Sequence, residues 1–155
     1  MVSKRPRAVK VVLVSACLLG TPCRYNGKSC KDQTLLKRIS ERVVVFLCPE
    51  QLGGLPTPRR PARIVAGDGI DVLSGKAKVL DSDGLDVTEK FLCGAKLTCE
   101  VAKLLGVKEA FLKTGSPSCG WTDTGRAADR SSVKGVTAAL LAHHGIKVIP
   151  MRGGR

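Results

Sequence analysis

Seven cysteines, at positions 17, 23, 30, 48, 93, 99 and 119, are the residues of this 155-residue chain best suited to chemistry. Their number is odd, so any closed disulfide framework leaves one over, and no Cys-x-x-Cys pair occurs. Reduced thiols are soft ligands, suited to zinc or to an iron–sulfur cluster. Cys17, Cys48 and Cys119 share one feature: each follows a short apolar, β-branched run, at 9–15, 43–47 and 107–112. If those runs are parallel strands, their carboxyl ends share one edge of a sheet, where ligands of open α/β sheets bind. Cys93 and Cys99 are six apart on a predicted helix, about 120° from a common face, and read as packing residues. Cys23 and Cys30 fall in the first loop, where they could lie near the site, and a structural role is favoured. Zinc usually completes its shell with histidine, and the two histidines, His143 and His144, both end the last predicted helix. Three cysteines without a fourth protein ligand suit a 4Fe-4S cluster with one iron open as a Lewis acid. A zinc site with an outside fourth ligand is the alternative.

The elements that must position these thiols follow from periodicity. A buried strand is predicted at 9–15 and a short amphipathic helix at 32–42, with Leu35, Leu36 and Ile39 inward. The unbroken run Val43–Leu47 predicts a strand covered on both faces. Four prolines within 48–61 predict an ordered loop without helix. Segments 63–66, 70–73 and 77–80 read as short strands of a ribbon, an insertion over about 62–86. Thr88 is the expected N-cap of a helix to about 105, closed by Gly106. A strand at 107–112, a loop at 114–124, a helix from Ser132 to about 143 and a strand at 146–149 complete the chain. Strands separated by helices predict a parallel sheet of about four strands with right-handed crossovers. The expected fold is a single three-layer α/β domain over 1–155, Rossmann-like or flavodoxin-like, with the ribbon inserted.

Composition bounds the partners. Lys and Arg number 26 against 13 Asp and Glu, a formal charge of +13, which favours anionic ligands. Three Phe, one Tyr and one Trp are too few for a module that stacks successive bases on aromatic platforms. The basic start and the Val14-Ser15-Ala16-Cys17 segment mimic a lipoprotein signal. Lys10 interrupts its apolar region, however, and Cys17 is followed by Leu18-Leu19-Gly20 rather than a polar tether. A cytoplasmic protein with reduced thiols and no membrane partner is expected.

Several separated segments resemble one family. Val14-Ser15-Ala16-Cys17-Leu18-Leu19-Gly20 comes first, followed by Cys23-Arg24-Tyr25-Asn26-Gly27. Cys48-Pro49-Glu50 with Gly53-Gly54-Leu55 and Pro58-Arg59 is next, and Ser116-Pro117-Ser118-Cys119-Gly120 is last. In this order they resemble the thiouracil desulfidase family. The resemblance implies a small α/β domain in which Cys17, Cys48 and Cys119 hold a 4Fe-4S cluster with one iron free of protein ligands. It implies a thiolated pyrimidine substrate, thiouracil or 4-thiouridine monophosphate, whose sulfur is replaced by water oxygen and leaves as hydrogen sulfide. Asn26 stands where the family usually has Asp.

The residues themselves suggest roles. Glu50, two positions beyond a proposed ligand, is the nearest general base for water, and Ser116 is a second catalytic candidate. Ser118 beside Cys119 is a donor toward the substrate ring or a cluster sulfur. Arg24, Arg59 and Arg60 are candidate phosphate partners, and Gly53-Gly54 lets backbone approach an anion. Tyr25 and Asn26 complete the expected substrate-binding set. Intact tRNA is a further possible partner, and the competing function is a basic RNA-binding accessory protein with a structural metal.

Overall fold

The computed structural model describes residues 8–121 and 134–154. The strands of the main sheet are β1 (Val11–Ser15), β2 (Val43–Leu47), β5 (Glu109–Lys113) and β6 (Lys147–Met151). They lie in the order β2-β1-β5-β6, every neighbouring pair parallel. This is the beginning of the flavodoxin-like order, and the crossovers leave β1 in opposite directions. The switch point therefore lies beyond the carboxyl ends of β1 and β5.

Alternation along the central strands assigns the two faces. Val12 and Val14 of β1, with Phe111 of β5, pack against Leu35 of α1 (Gln33–Arg38) and the adjoining Ile39. Leu13, Ala110 and Leu112 face the other way, onto Cys99 and Ala102 of α4 (Thr88–Leu104) and Ala138 and Leu141 of α5 (Val136–His143). A third apolar cluster joins Val72, Val79 and Val87 to Phe91, Ala95 and Val136. It seats the small antiparallel pair β3 (Ala62–Val65) and β4 (Lys78–Asp81) against α4 and α5.

Four expectations at the level of elements are corrected. Residues 70–73 are not a strand: they belong to helix α3 (Gly69–Leu73), started by a reciprocal capping box between Asp68 and Asp71. Local capping outweighs the β-branched look of Ile70 and Val72. The proline-rich stretch does contain a helical turn, α2 (Pro49–Leu52), because Pro49 occupies the first position, where a missing N–H costs nothing. Thr88 is the first residue of α4 rather than its cap; its hydroxyl accepts the Val79 N–H and ties β4 to the helix. Strand β2 is an edge strand, with Val43 and Phe46 exposed rather than covered on both faces. The expected helix start at Ser132 and residues 122–124 of the preceding loop lie outside the described residues.

Candidate active site

Cys17 is the second residue of the 3-10 turn Ala16–Leu19 that directly follows β1, and only 7% of it is exposed. Cys48 is the cap of α2, one residue beyond β2. Cys119 is buried after a turn built by Ser116, whose Oγ accepts the N–H groups of Ser118 and Cys119 at 3.1 Å each. All three line one cavity of ≈ 640 Å³ at the switch-point edge of the sheet, a volume ordinary for a small-molecule site. A wall is supplied by the ribbon and the start of α4, through Asp81, Leu85, Asp86, Lys90 and Phe91.

A fourth thiol joins them. Cys23 is buried, lines the same cavity, and lies within hydrogen-bonding reach of the Cys17 and Cys48 thiols. The Cys48 thiol also donates to the Cys23 carbonyl at 3.8 Å. The hydrogen bond between the Cys23 and Cys17 thiols, together with burial, pushes Cys23 up to about 11 against the opposing effect of Cys48. Cys48 is raised by its bond with Cys23 and by burial, and the nearby Glu50 charge adds to the rise. Burial pushes Cys119 up to about 12, although the Ser15 hydroxyl beside its sulfur works the other way. Buried thiols crowded together without a cation hold their protons, and metal binding would displace those protons. Among the described residues no three His, Cys, Asp or Glu side chains converge tightly enough to chelate a single ion. Thiols spread along one cavity instead fit a polynuclear cluster, in which each thiolate binds a different iron.

Glu50 lines the cavity and is 13% exposed at its side chain; Arg59 pairs with it and is 6% exposed. Arg59 Nε donates to Glu50 Oε2 at 2.9 Å, Nη2 donates to the same oxygen, and Nη1 donates to the carbonyls of Cys23 and Pro56 at 3.0 and 3.2 Å. Each guanidinium nitrogen thus already has a protein acceptor, so the expected phosphate role of Arg59 is replaced by a structural one. Arg24, Tyr25 and Ser116 line the cavity as expected. Four other expected substrate-binding residues do not. Asn26 Oδ1 accepts the Lys28 N–H and shapes an exposed turn. Ser118 is 1% exposed, its hydroxyl paired with Thr137 at 2.8 Å. Gly53 abuts α4, where a Cβ would come within 2.0 Å of the Lys90 carbonyl oxygen, and Gly54 takes φ +92° in the turn that follows. The glycine pair serves helix contact and turn formation rather than an anion cradle.

Of the remaining cysteines, Cys30 and Cys99 are core residues and Cys93 is exposed on α4. The sequence reading left a place near the site open for Cys23 while favouring a structural role, and it missed Ser15 as a pocket residue. Cys23 sits inside the Cys-Arg-Tyr segment, so a signal was present. Ser15 likewise sits inside the Val14–Gly20 segment; it is the buried last residue of β1, and its Oγ accepts the Lys113 N–H across to β5.

A thiol-lined pocket with a carboxylate and a hydroxyl at its edge, set at the switch point of a parallel sheet, defines a small α/β domain of the kind that builds its site on strand-end loops. The chain belongs to the 2-thiouracil desulfurase family, whose sequence model matches residues 12–152. It is 44% identical over 145 residues to the uncharacterized protein YbbK of Bacillus subtilis (strain 168), covering 90% of this chain and 94% of that one. The solved structure of the [4Fe-4S]-dependent thiouracil desulfidase TudS matches with a TM-score of 0.70 and 38% identity, over 91% of this chain and 90% of that one.

Proposed function

We propose that the protein is an iron–sulfur-dependent desulfidase that converts a thiolated pyrimidine to its oxo form. Cys17, Cys48 and Cys119 would hold a 4Fe-4S cluster with one iron free of protein ligands. The observation that carries the reading is the meeting of these three thiols, from three strand ends, on the floor of a pocket that also contains Glu50 and Ser116. When bound, the cluster supplies a Lewis-acidic iron for the thiocarbonyl sulfur. The overall change is one thiocarbonyl plus one water giving one carbonyl plus one hydrogen sulfide, with no net redox step.

The chain's own residues supply the rest. Glu50 takes a proton from the attacking water. The Ser116 Oγ accepts two backbone N–H bonds, so its own proton is free to donate into the pocket. Tyr25 offers a ring face to a pyrimidine. Arg24, Arg59, Arg60, Lys90 and Lys113 outnumber Glu50, Asp81 and Asp86 along the lining, with Arg59 paired to Glu50 and Arg60 to Asp83, and this excess favours an anionic nucleotide over a neutral base. The proposed location is the cytoplasm, where the thiols stay reduced.

The test is sulfide release by anaerobically cluster-loaded protein from 2-thiouracil, 4-thiouridine monophosphate and thiolated tRNA. Release from a small thiopyrimidine supports the proposal. Salt-sensitive RNA binding without sulfide release from any of the three would replace it with an RNA-binding function.

A further inference from the structure

Arg59 makes an unusual set of contacts for an arginine beside a pocket. Its side chain is nearly buried, and its bonds reach three separate segments. Nε and Nη2 engage Glu50 on α2. Nη1 reaches the Cys23 carbonyl in the first loop, and the Pro56 carbonyl and Thr57 hydroxyl in its own loop. Its backbone N–H donates to the Tyr25 carbonyl at 2.8 Å. The first loop is therefore fastened at both Cys23 and Tyr25 by one residue.

The contacts with Glu50 are one-sided. Both guanidinium bonds fall on Oε2, and among the described residues Oε1 has no hydrogen-bond partner. Two donors from one guanidinium edge anchor Oε2 in place, and the second oxygen is left for another proton donor.

We propose that Arg59 is the positioning residue of this site: it clamps Glu50 by Oε2 so that Oε1 faces the reacting water, and it latches the Cys23–Tyr25 loop over the thiol floor. The inference rests on the desulfidase reading for its kinetic half. Its latch half stands on the hydrogen bonds alone. Arg59 touches no substrate in this scheme and acts through Glu50 and the loop.

The experiment is a double-mutant cycle in the cluster-loaded protein, with thiol labelling as a second readout. Glu50→Gln should lower kcat about 10²-fold, the lower range for loss of a general base. Arg59→Met keeps the backbone bond to Tyr25, so it should lower kcat by a similar factor with KM changed less than about twofold. Where kcat depends on Arg59 only through Glu50, the double variant should be no slower than Glu50→Gln alone. Arg59→Lys keeps the charge, loses the fork and should recover part of the rate. It carries the cycle should Arg59→Met fail to accumulate as folded protein with full iron content. Losses that multiply in the double variant would overturn the positioning role while leaving the desulfidase reading intact. Iodoacetamide labelling of Cys23, located by mass spectrometry, should be about tenfold faster in the Arg59 variant than in the wild type, as expected when a local opening becomes easier. Equal labelling rates would overturn the latch. If the wild-type protein releases no sulfide, the functional reading falls, and the labelling comparison still decides the latch.

Discussion

Ser116 holds the turn before Cys119 and is assigned a proton-donating role in the proposed reaction, so its loss should be felt twice. Its oxygen shapes the turn before Cys119, and its proton is free to face the pocket. Ser116→Ala should cost about 1 kcal/mol of stability through the lost turn bonds, measured by urea unfolding, and lower sulfide release as well. Among the thiols, Cys17→Ser, Cys48→Ser and Cys119→Ser should each lose the bound iron after anaerobic reconstitution, whereas Cys93→Ser should keep it. Iron analysis per chain checks this, and iron loss in Cys93→Ser would refute the assignment. At this scale the sequence was informative where a residue type is rare and chemically marked. Cys17, Cys48, Cys119 and Glu50 could be chosen from strand ends and motifs. The partners of Arg59 and Ser118 were only partly legible, because they depend on tertiary approach: Arg59 meets Glu50 nine residues away, and Ser118, whose hydroxyl also reaches the neighbouring Cys119 sulfur as the sequence suggested, meets Thr137 nineteen residues away. Nothing local in the sequence distinguishes a solvated arginine from a clamped one.

The turn α2 carries Glu50 and is held by its contact with α4. Gly53 meets Lys90 across this contact, and Gly94 meets Pro49, where a Cβ would lie within 1.9 Å of the carbonyl oxygen. Gly94→Ala should therefore push α2 outward. A stability loss of about 1–3 kcal/mol is expected from such overpacking, read by urea unfolding, with reduced activity because Glu50 moves with the turn. At the opposite end of the sheet, Arg42 before β2 pairs with Glu109 at the start of β5. The Arg42 hydrogen bond holds the Glu109 carboxyl below its usual range. A depressed carboxylate stabilises the fold above its unfolded pKa, and that contribution is lost as pH falls through the folded value. Glu109→Gln should thus lower stability by no more than about 1 kcal/mol at pH 7 and by nothing measurable once pH falls below the folded value, as urea midpoints would show. Strands were legible because β-branched runs are; β2 matched its expected span of 43–47. The short helices α2 and α3 were not. Each depends on a terminal device, Pro49 in one and the Asp68–Asp71 box in the other, rather than on periodicity.

The excess of 13 positive charges is a property of the whole molecule, but its use is local. If the cations around the pocket attract a phosphorylated substrate, the KM for 4-thiouridine monophosphate should rise between low and physiological salt. The KM for uncharged 2-thiouracil should stay flat under the same conditions. Equal salt dependence for both substrates would assign the charge to solubility instead.

The parallel topology also sets a schedule. Strands β1 and β2 are neighbours early in the chain and bring Cys17 and Cys48 together, while Cys119 arrives only after β5 has docked on the far side of β1. A nascent chain shorter than 119 residues offers two of the three proposed ligands and cannot present the third. If these three thiols hold the proposed cluster, its loading waits until most of the polypeptide has been synthesised and the central strand pair has closed. Until then Cys17 and Cys48 lack the third strand-end thiol that the finished pocket sets beside them.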